Sequence, residues 1–134
     1  MSNSQATGVA YLDPEFSTCY ATQEIGYATA AQGAVTQGSS KSTGVTLNKS
    51  AGQITMNGAS LTTLTNVTFT LTNSLITAKD VIIINVASAN ATAGAYNAWI
   101  SSMLAGSCTI TLRNITAGTL SEAVVINYAI IHAQ

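Results

Sequence analysis

Charge is what this chain most lacks. Only four of its 134 residues are Lys or Arg and five are Asp or Glu, 7% in all, against about 25% in an ordinary globular domain. Thr, Ser, Asn, Gln and Ala stand where Lys and Glu usually cover a surface. Burying charge costs far more than burying hydroxyls or amides, so such a surface is cheap to press against another. The composition points to a chain that lives inside an assembly, with a sandwich domain of an extracellular protein as the alternative. A net charge of −1 excludes a nucleic-acid binder, which needs clustered Lys and Arg. The few charges are unevenly placed. Asp13, Glu15 and Glu24 precede the first base, Lys41, so the first forty residues stand at −3. The remainder sets Lys41, Lys49, Lys79 and Arg113 against Asp80 and Glu122, which is +2.

Other scarcities remove whole classes of chemistry. There is one histidine, His132, with no acid near it in sequence and no Gly-x-Ser-x-Gly elbow elsewhere. A Ser-His-Asp site could be assembled only in space, and with one terminal histidine and no motif it is not expected. Cys19, Cys108 and His132 are three Cys or His in total, one short of a structural zinc site. No metal or other cofactor is expected, and no catalysis. Asp80 and Glu122 are the only acids of the body available for a paired-carboxylate glycosidase, and each is expected to be exposed at a strand end. Two cysteines make no disulfide framework, and both are expected as free thiols. The longest apolar run, Val81 to Ile84, is too short to span a bilayer. No basic, apolar leader opens the chain, so no signal peptide is expected. The four Asn-x-Ser/Thr matches, at Asn48, Asn66, Asn90 and Asn114, are therefore expected to carry no glycans.

What is present is β patterning. Residues 1–33 show no sustained period, yet they hold the only proline, Pro14, and four of the aromatics, Tyr11, Phe16, Tyr20 and Tyr27. Aromatic rings without a core pattern of their own are expected to anchor on something else. This segment reads as an extended arm, with at most a helical turn within residues 22–31. Val35 to Ser42 reads as a polar hinge. Gly33 to Lys41 only loosely approaches a phosphate-binding loop, because its Lys falls late and no strand-then-helix frame surrounds it. From residue 34 onward the chain reads as one β-sandwich or jelly-roll domain with antiparallel sheets. Gly44–Asn48 and Gln53–Asn57 alternate, with Ile54 and Met56 inward, and form a hairpin or a corner. Asn66–Thr72 alternates cleanly, with Val67, Phe69 and Leu71 on one face and threonines on the other. Asp80–Ala87 is apolar on both faces. Ala95–Met103 and Ser107–Ile115 follow, separated by Ala105-Gly106. Tyr96 and Trp99 could form a sugar-stacking platform, though packing beside a loop is the simpler reading.

The stretch Leu120–Ala133 (LSEAVVINYAIIHA) is apolar on both faces of any strand it forms, so both faces need cover. It is either the central strand of a sandwich or one side of a subunit junction, with Val125, Asn127, Ala129 and Ile131 as candidates for the junction.

Three blocks carry a family resemblance. GYATAAQGAVTQGSSKSTGVTLNKSAGQITMN (26–57), VTFTLTNSLITAKDVIIINV (67–86) and GTLSEAVVINYAII (118–131) resemble small virion proteins of tailed bacteriophages. In these a compact β-domain forms trimers on the virion, as a head decoration (cement) protein or, in related modules, at fibre tips. The resemblance implies a homotrimer, a major capsid protein as partner and no catalytic residues. It also implies a place on the capsid surface after synthesis in the bacterial cytoplasm, with neither nucleic acid nor membrane as partner. A short arm and no fibrous stem favour the cement role. Tyr11, Phe16, Tyr20 and Tyr27 would then anchor the arm on capsid proteins or a sister subunit. The alternative is a receptor-binding fibre tip, with the 57–66 and 88–94 loops, Tyr96 and Trp99 contacting host glycans.

Overall fold

The computed structural model describes residues 17–87 and 91–133. Eight strands lie within them: β1 (Gln32–Thr36), β2 (Val45–Thr46), β3 (Ala51–Thr55), β4 (Asn66–Thr72), β5 (Val81–Ala87), β6 (Tyr96–Leu104), β7 (Ser107–Asn114) and β8 (Val125–Ile131). They form two four-stranded sheets, ordered β1-β3-β8-β5 and β2-β4-β7-β6, packed as a sandwich. The only helical turn among the described residues is a 3-10 turn at Thr29–Ala31. No helix there is long and apolar enough to cross a membrane.

The chain changes sheet at every connection except β6–β7. The 44–57 region is therefore a corner: β2 lies in one sheet and β3 in the other. The β6–β7 hairpin turns at Ala105-Gly106, where Gly106 sits at φ +80°. That left-handed conformation costs a side-chain-bearing residue about 1–2 kcal/mol. The sheets are not purely antiparallel. β1 runs parallel to β3 and β2 parallel to β4, while every other named pair is antiparallel. Parallel neighbours need a crossover between them, and the passages through the opposite sheet provide it.

Alternation explains the core. Ile54, Ile126, Tyr128 and Ile130 from one sheet meet Phe69, Leu71, Ile110 and Leu112 from the other, all buried. Each contributes about 1.5–3 kcal/mol on leaving water. Met56, Leu61, Ile76 and Val124, in the connections, close the ends.

Asparagines knot these connections. Asn114, fully buried, donates from Nδ2 to the carbonyls of Leu61 (3.0 Å) and Gly118 (2.7 Å) and accepts the Thr116 N–H at Oδ1 (2.9 Å). Asn73, also fully buried, donates to the Lys49 carbonyl at 2.7 Å and accepts the Leu75 N–H at 3.0 Å. The Tyr128 hydroxyl completes this second knot by donating to the carbonyls of Leu47 and Lys49. Its ring crosses Gly52, where an added Cβ would stand 2.9 Å from Cε1.

The presumed hinge contains structure the sequence hid. β1 takes up residues 32–36, so the sheet starts just inside the segment read as arm. Gln37 and Lys41, in what reads as a solvated hinge, are 3% and 2% exposed. Gln37 donates to the Lys41 and Thr43 carbonyls at 3.0 and 2.8 Å and accepts the Asn57 N–H at 3.0 Å. Main-chain groups satisfy both side chains, some near in sequence and some as far as Glu122, and no periodicity signals that.

Candidate functional site

The outer face of the β1-β3-β8-β5 sheet is the surface that calls for explanation. β8 is central, hydrogen-bonded to β3 on one side and β5 on the other. Its inward residues Ile126, Tyr128 and Ile130 are buried in the sandwich. Its outward residues are the four junction candidates. Val125 is already buried, at 4% exposure, Asn127 and Ala129 are half-buried, and Ile131 is 51% exposed. Val125 therefore offers little new area to a partner, whereas the other end of the strand stays open. Register places Ile131 opposite Val81 and Ala129 opposite Ile83, and Val81 and Ile83 are each 56% exposed. β5 is thus apolar outside as well as inside, as its sequence reads, and nothing among the described residues covers its outer side chains fully. A row of amides crosses the same face. Gln53 pairs with Asn127 and Asn127 with Asn85, and Gln53 Nε2 donates to Asn127 Oδ1 at 3.0 Å. The strand residues of this face include no charged side chain.

The arm passes over the open end of this face. Tyr11 and Phe16 lie outside the described residues. From Ser17 to Ala30 every side chain is exposed, Tyr20 by 90% and Ile25 by 84%. Tyr27 alone among the arm aromatics described is tied down: its hydroxyl donates to the Ile130 carbonyl. The Ile130 N–H donates to the Ser50 carbonyl, so Tyr27 serves the same side of β8 just beyond the start of β3. Further on, Gln32 Nε2 donates to the Tyr27 carbonyl at 2.7 Å and Lys49 Nζ to the Ala30 carbonyl at 2.8 Å. Between arm and sheet lies a trough of about 580 Å³, lined by Ile25, Gly26, Tyr27, Ile83, Ala129 and Ile131. Aliphatic and aromatic carbon dominates its walls. Tyr27 and two of the four junction candidates, Ala129 and Ile131, thus meet at one place. Ile25 and Ile83 complete that place and have no place among the sequence candidates, although the doubly apolar β5 was a visible signal.

Two polar clusters correct the expectation that the body acids are simply exposed. Asp80 is 6% exposed. Its carboxylate accepts the Thr77 N–H and hydroxyl, each at 2.8 Å, and the Ala133 N–H at 3.2 Å. His132 Nδ1 lies 3.0 Å from Asp80 Oδ2. The Thr77 N–H is the main cause that brings the Asp80 carboxyl down to about 2, against the opposing effect of desolvation. The fold thus supplies the acid that the sequence around His132 lacks. Among the described residues no hydroxyl or thiol hydrogen-bonds the other ring nitrogen. The pair fastens the end of β8 to the turn before β5.

The second cluster is Lys41 with Glu122. Lys41 Nζ donates to the carbonyls of Asn57, at 2.5 Å, and Glu122. Burial lowers its pKa, while the Glu122 charge opposes the shift. Glu122 Oε1 accepts the Thr92 hydroxyl at 2.5 Å. Tyr96 Oη and Glu122 Oε2 are buried without a hydrogen bond of ordinary geometry. Burial first, and the neighbouring Glu122 second, raise the Tyr96 phenol to about 12. Tyr96 is only 8% exposed, and Trp99, three residues along the same strand, lies on the opposite face. The two cannot form one stacking platform. Cys19 is a free, exposed thiol and Cys108 a free, buried one. No group of three or more His, Cys, Asp or Glu among the described residues could hold a metal ion.

Comparison with known proteins returns no match to any family model, curated protein or solved structure.

Proposed function

We propose that this chain is a structural protein of a bacteriophage virion, a decoration protein that self-associates and stabilises the assembled head. The observation that carries the reading is the uncharged, partly apolar outer face of the β1-β3-β8-β5 sheet, with an exposed arm beside it. Contiguous exposed apolar surface on a small domain marks an interaction site, and the near absence of charge keeps its desolvation cheap. The likeness of the 26–57, 67–86 and 118–131 blocks to small virion proteins supplies the setting. Three copies would join with Asn127, Ala129 and Ile131 at the junction. The arm would reach beyond its own body, to major capsid proteins or to a sister copy. Binding only the expanded shell favours that state by mass action, and many weak contacts per particle add up through avidity.

The test is a copy count. Particles purified from the lysate that yields this protein are run on a gel and quantified by densitometry. Hundreds of copies per particle support decoration. A few tens or fewer indicate a fibre tip, and none removes the virion role.

A further inference from the structure

The outer sheet face alone is small. Four strands about 4.8 Å apart and seven residues at about 3.3 Å each span roughly 19 by 23 Å, or ~440 Å². Two such faces pressed together bury ~900 Å², short of the ~1,200 Å² at which stable, specific contacts begin. A second element must join the contact, and the arm is available. Tyr20 is bare, at 90% exposure, while the trough beside β8 has no occupant among the described residues. The trough's own wall is Ile25–Tyr27, held by the bond from Tyr27 to Ile130. Tyr20, five residues before that wall, does not line its own trough. Tyr20 stands five residues before Ile25, a reach of up to ~18 Å when extended, enough to meet a body packed alongside.

We infer that the trough formed by Ile25–Tyr27, Ile83, Ala129 and Ile131 receives the Tyr20 region of a second copy's arm. The contact is head-to-tail, donor arm into acceptor trough, and it deepens the self-association on which the proposed function rests. Because the two patches differ, the contact can close as a reciprocal two-fold swap or as a ring of more copies, and the trimer proposed above closes it as a three-membered ring. The ligand is uncharged and aromatic, matching an apolar slot without ionised groups. Aromatic residues are well suited to such anchoring because they bury large area with few rotors to freeze.

The exposed Cys19 beside Tyr20 provides the assay. Full-length Ala129→Cys protein is oxidised mildly, and linked peptides are mapped by mass spectrometry. Head-to-tail exchange gives a ladder of linked chains joining position 19 of one copy to position 129 of the next, and Cys19→Ser abolishes it. A link confined to single chains, or none between these positions, overturns the inference. Sedimentation velocity gives a second readout on Tyr20→Ser and Ile83→Asn, both exposed positions whose folding is checked by circular dichroism. Each variant alone weakens assembly at least tenfold in the apparent dissociation constant. Mixed one to one, they keep one intact junction and stop at dimers. Assembly untouched by Tyr20→Ser overturns the exchange. Hundreds of copies on particles with no such link sink the exchange alone. A linked ring absent from particles sinks the virion role alone.

Discussion

Gly52→Ala is the perturbation whose cost the structure defines most sharply. Gly52 lies in β3, between Gly33 of β1 and Tyr128 of β8. A Cβ there would stand 2.7 Å from Leu47 Cδ2, 2.9 Å from the Gly33 carbonyl oxygen and 2.9 Å from Tyr128 Cε1. The leucine end can swing aside. The Gly33 oxygen belongs to the neighbouring strand and cannot. The tyrosine ring is fixed by its hydroxyl bonds to Leu47 and Lys49, at 3.2 and 3.0 Å. Overpacking of this kind costs ~1–3 kcal/mol, and a displaced hydroxyl forfeits a further ~0.5–1.5 kcal/mol. Restricting the unfolded chain returns ~0.4–1 kcal/mol. We expect a net loss of about 2 kcal/mol, lowering Tm by ~6–10 °C for a domain of this size. Gly38→Ala is the control, since nothing lies within 4 Å of its Cβ position; its change should stay within ~0.5 kcal/mol. Urea titration followed by tryptophan fluorescence reads both. A Gly52→Ala midpoint equal to or above wild type, at unchanged m, refutes the packing argument.

Two further outcomes follow from the buried groups. The folded-state pKa of Asp80, about 2, lies below the ordinary 3.8. Its carboxylate therefore stabilises the fold above pH ~3.8, and that contribution is lost as pH falls through about 2. Thermal melts between pH 5 and 2 should show this decline, and Asp80→Asn should flatten it; an unchanged slope in the variant counts against the assignment. Burial raises the Cys108 thiol to about 11. A thiol reagent at pH 8 should label one cysteine per native chain, Cys19, and both after denaturation. Rapid native labelling of Cys108 would contradict its burial.

Where side chains alternate over five residues or more, the strands were legible. β4 spans the residues its pattern announces, Asn66–Thr72, and β5, β6 and β7 begin or end within a residue or so of their patterns. β1 escaped because Gln-Gly-Ala-Val-Thr carries a single large apolar side chain, too little to establish a period. Its parallel pairing with β3 is a property of the route between sheets, which composition does not encode. The open outer face could be read from β5 and β8, because both are apolar on two sides and one small sandwich covers only one. Lys41 and Asp80 could not be placed, since their partners are carbonyls and amides with no sequence signature. Asp80 and His132 meet although 52 positions separate them.

The position of β8 between β3 and β5 has a consequence for synthesis. It is the latest of the eight strands in chain order, yet it pairs with two strands already out of the ribosome. Until Val125–Ile131 has emerged, β3 and β5 have no bridge between them, and their greasy sides and unpaired backbone wait uncovered. The sheet can close only as a late event, by insertion rather than by growth from an edge. Such late, non-local pairing is slow and leaves a half-made sandwich open to capture by its neighbours. A ribosome stalled before Val125 should therefore hold a nascent chain that chaperones bind and proteases cut, and release from that hold should coincide with emergence of this one ribbon.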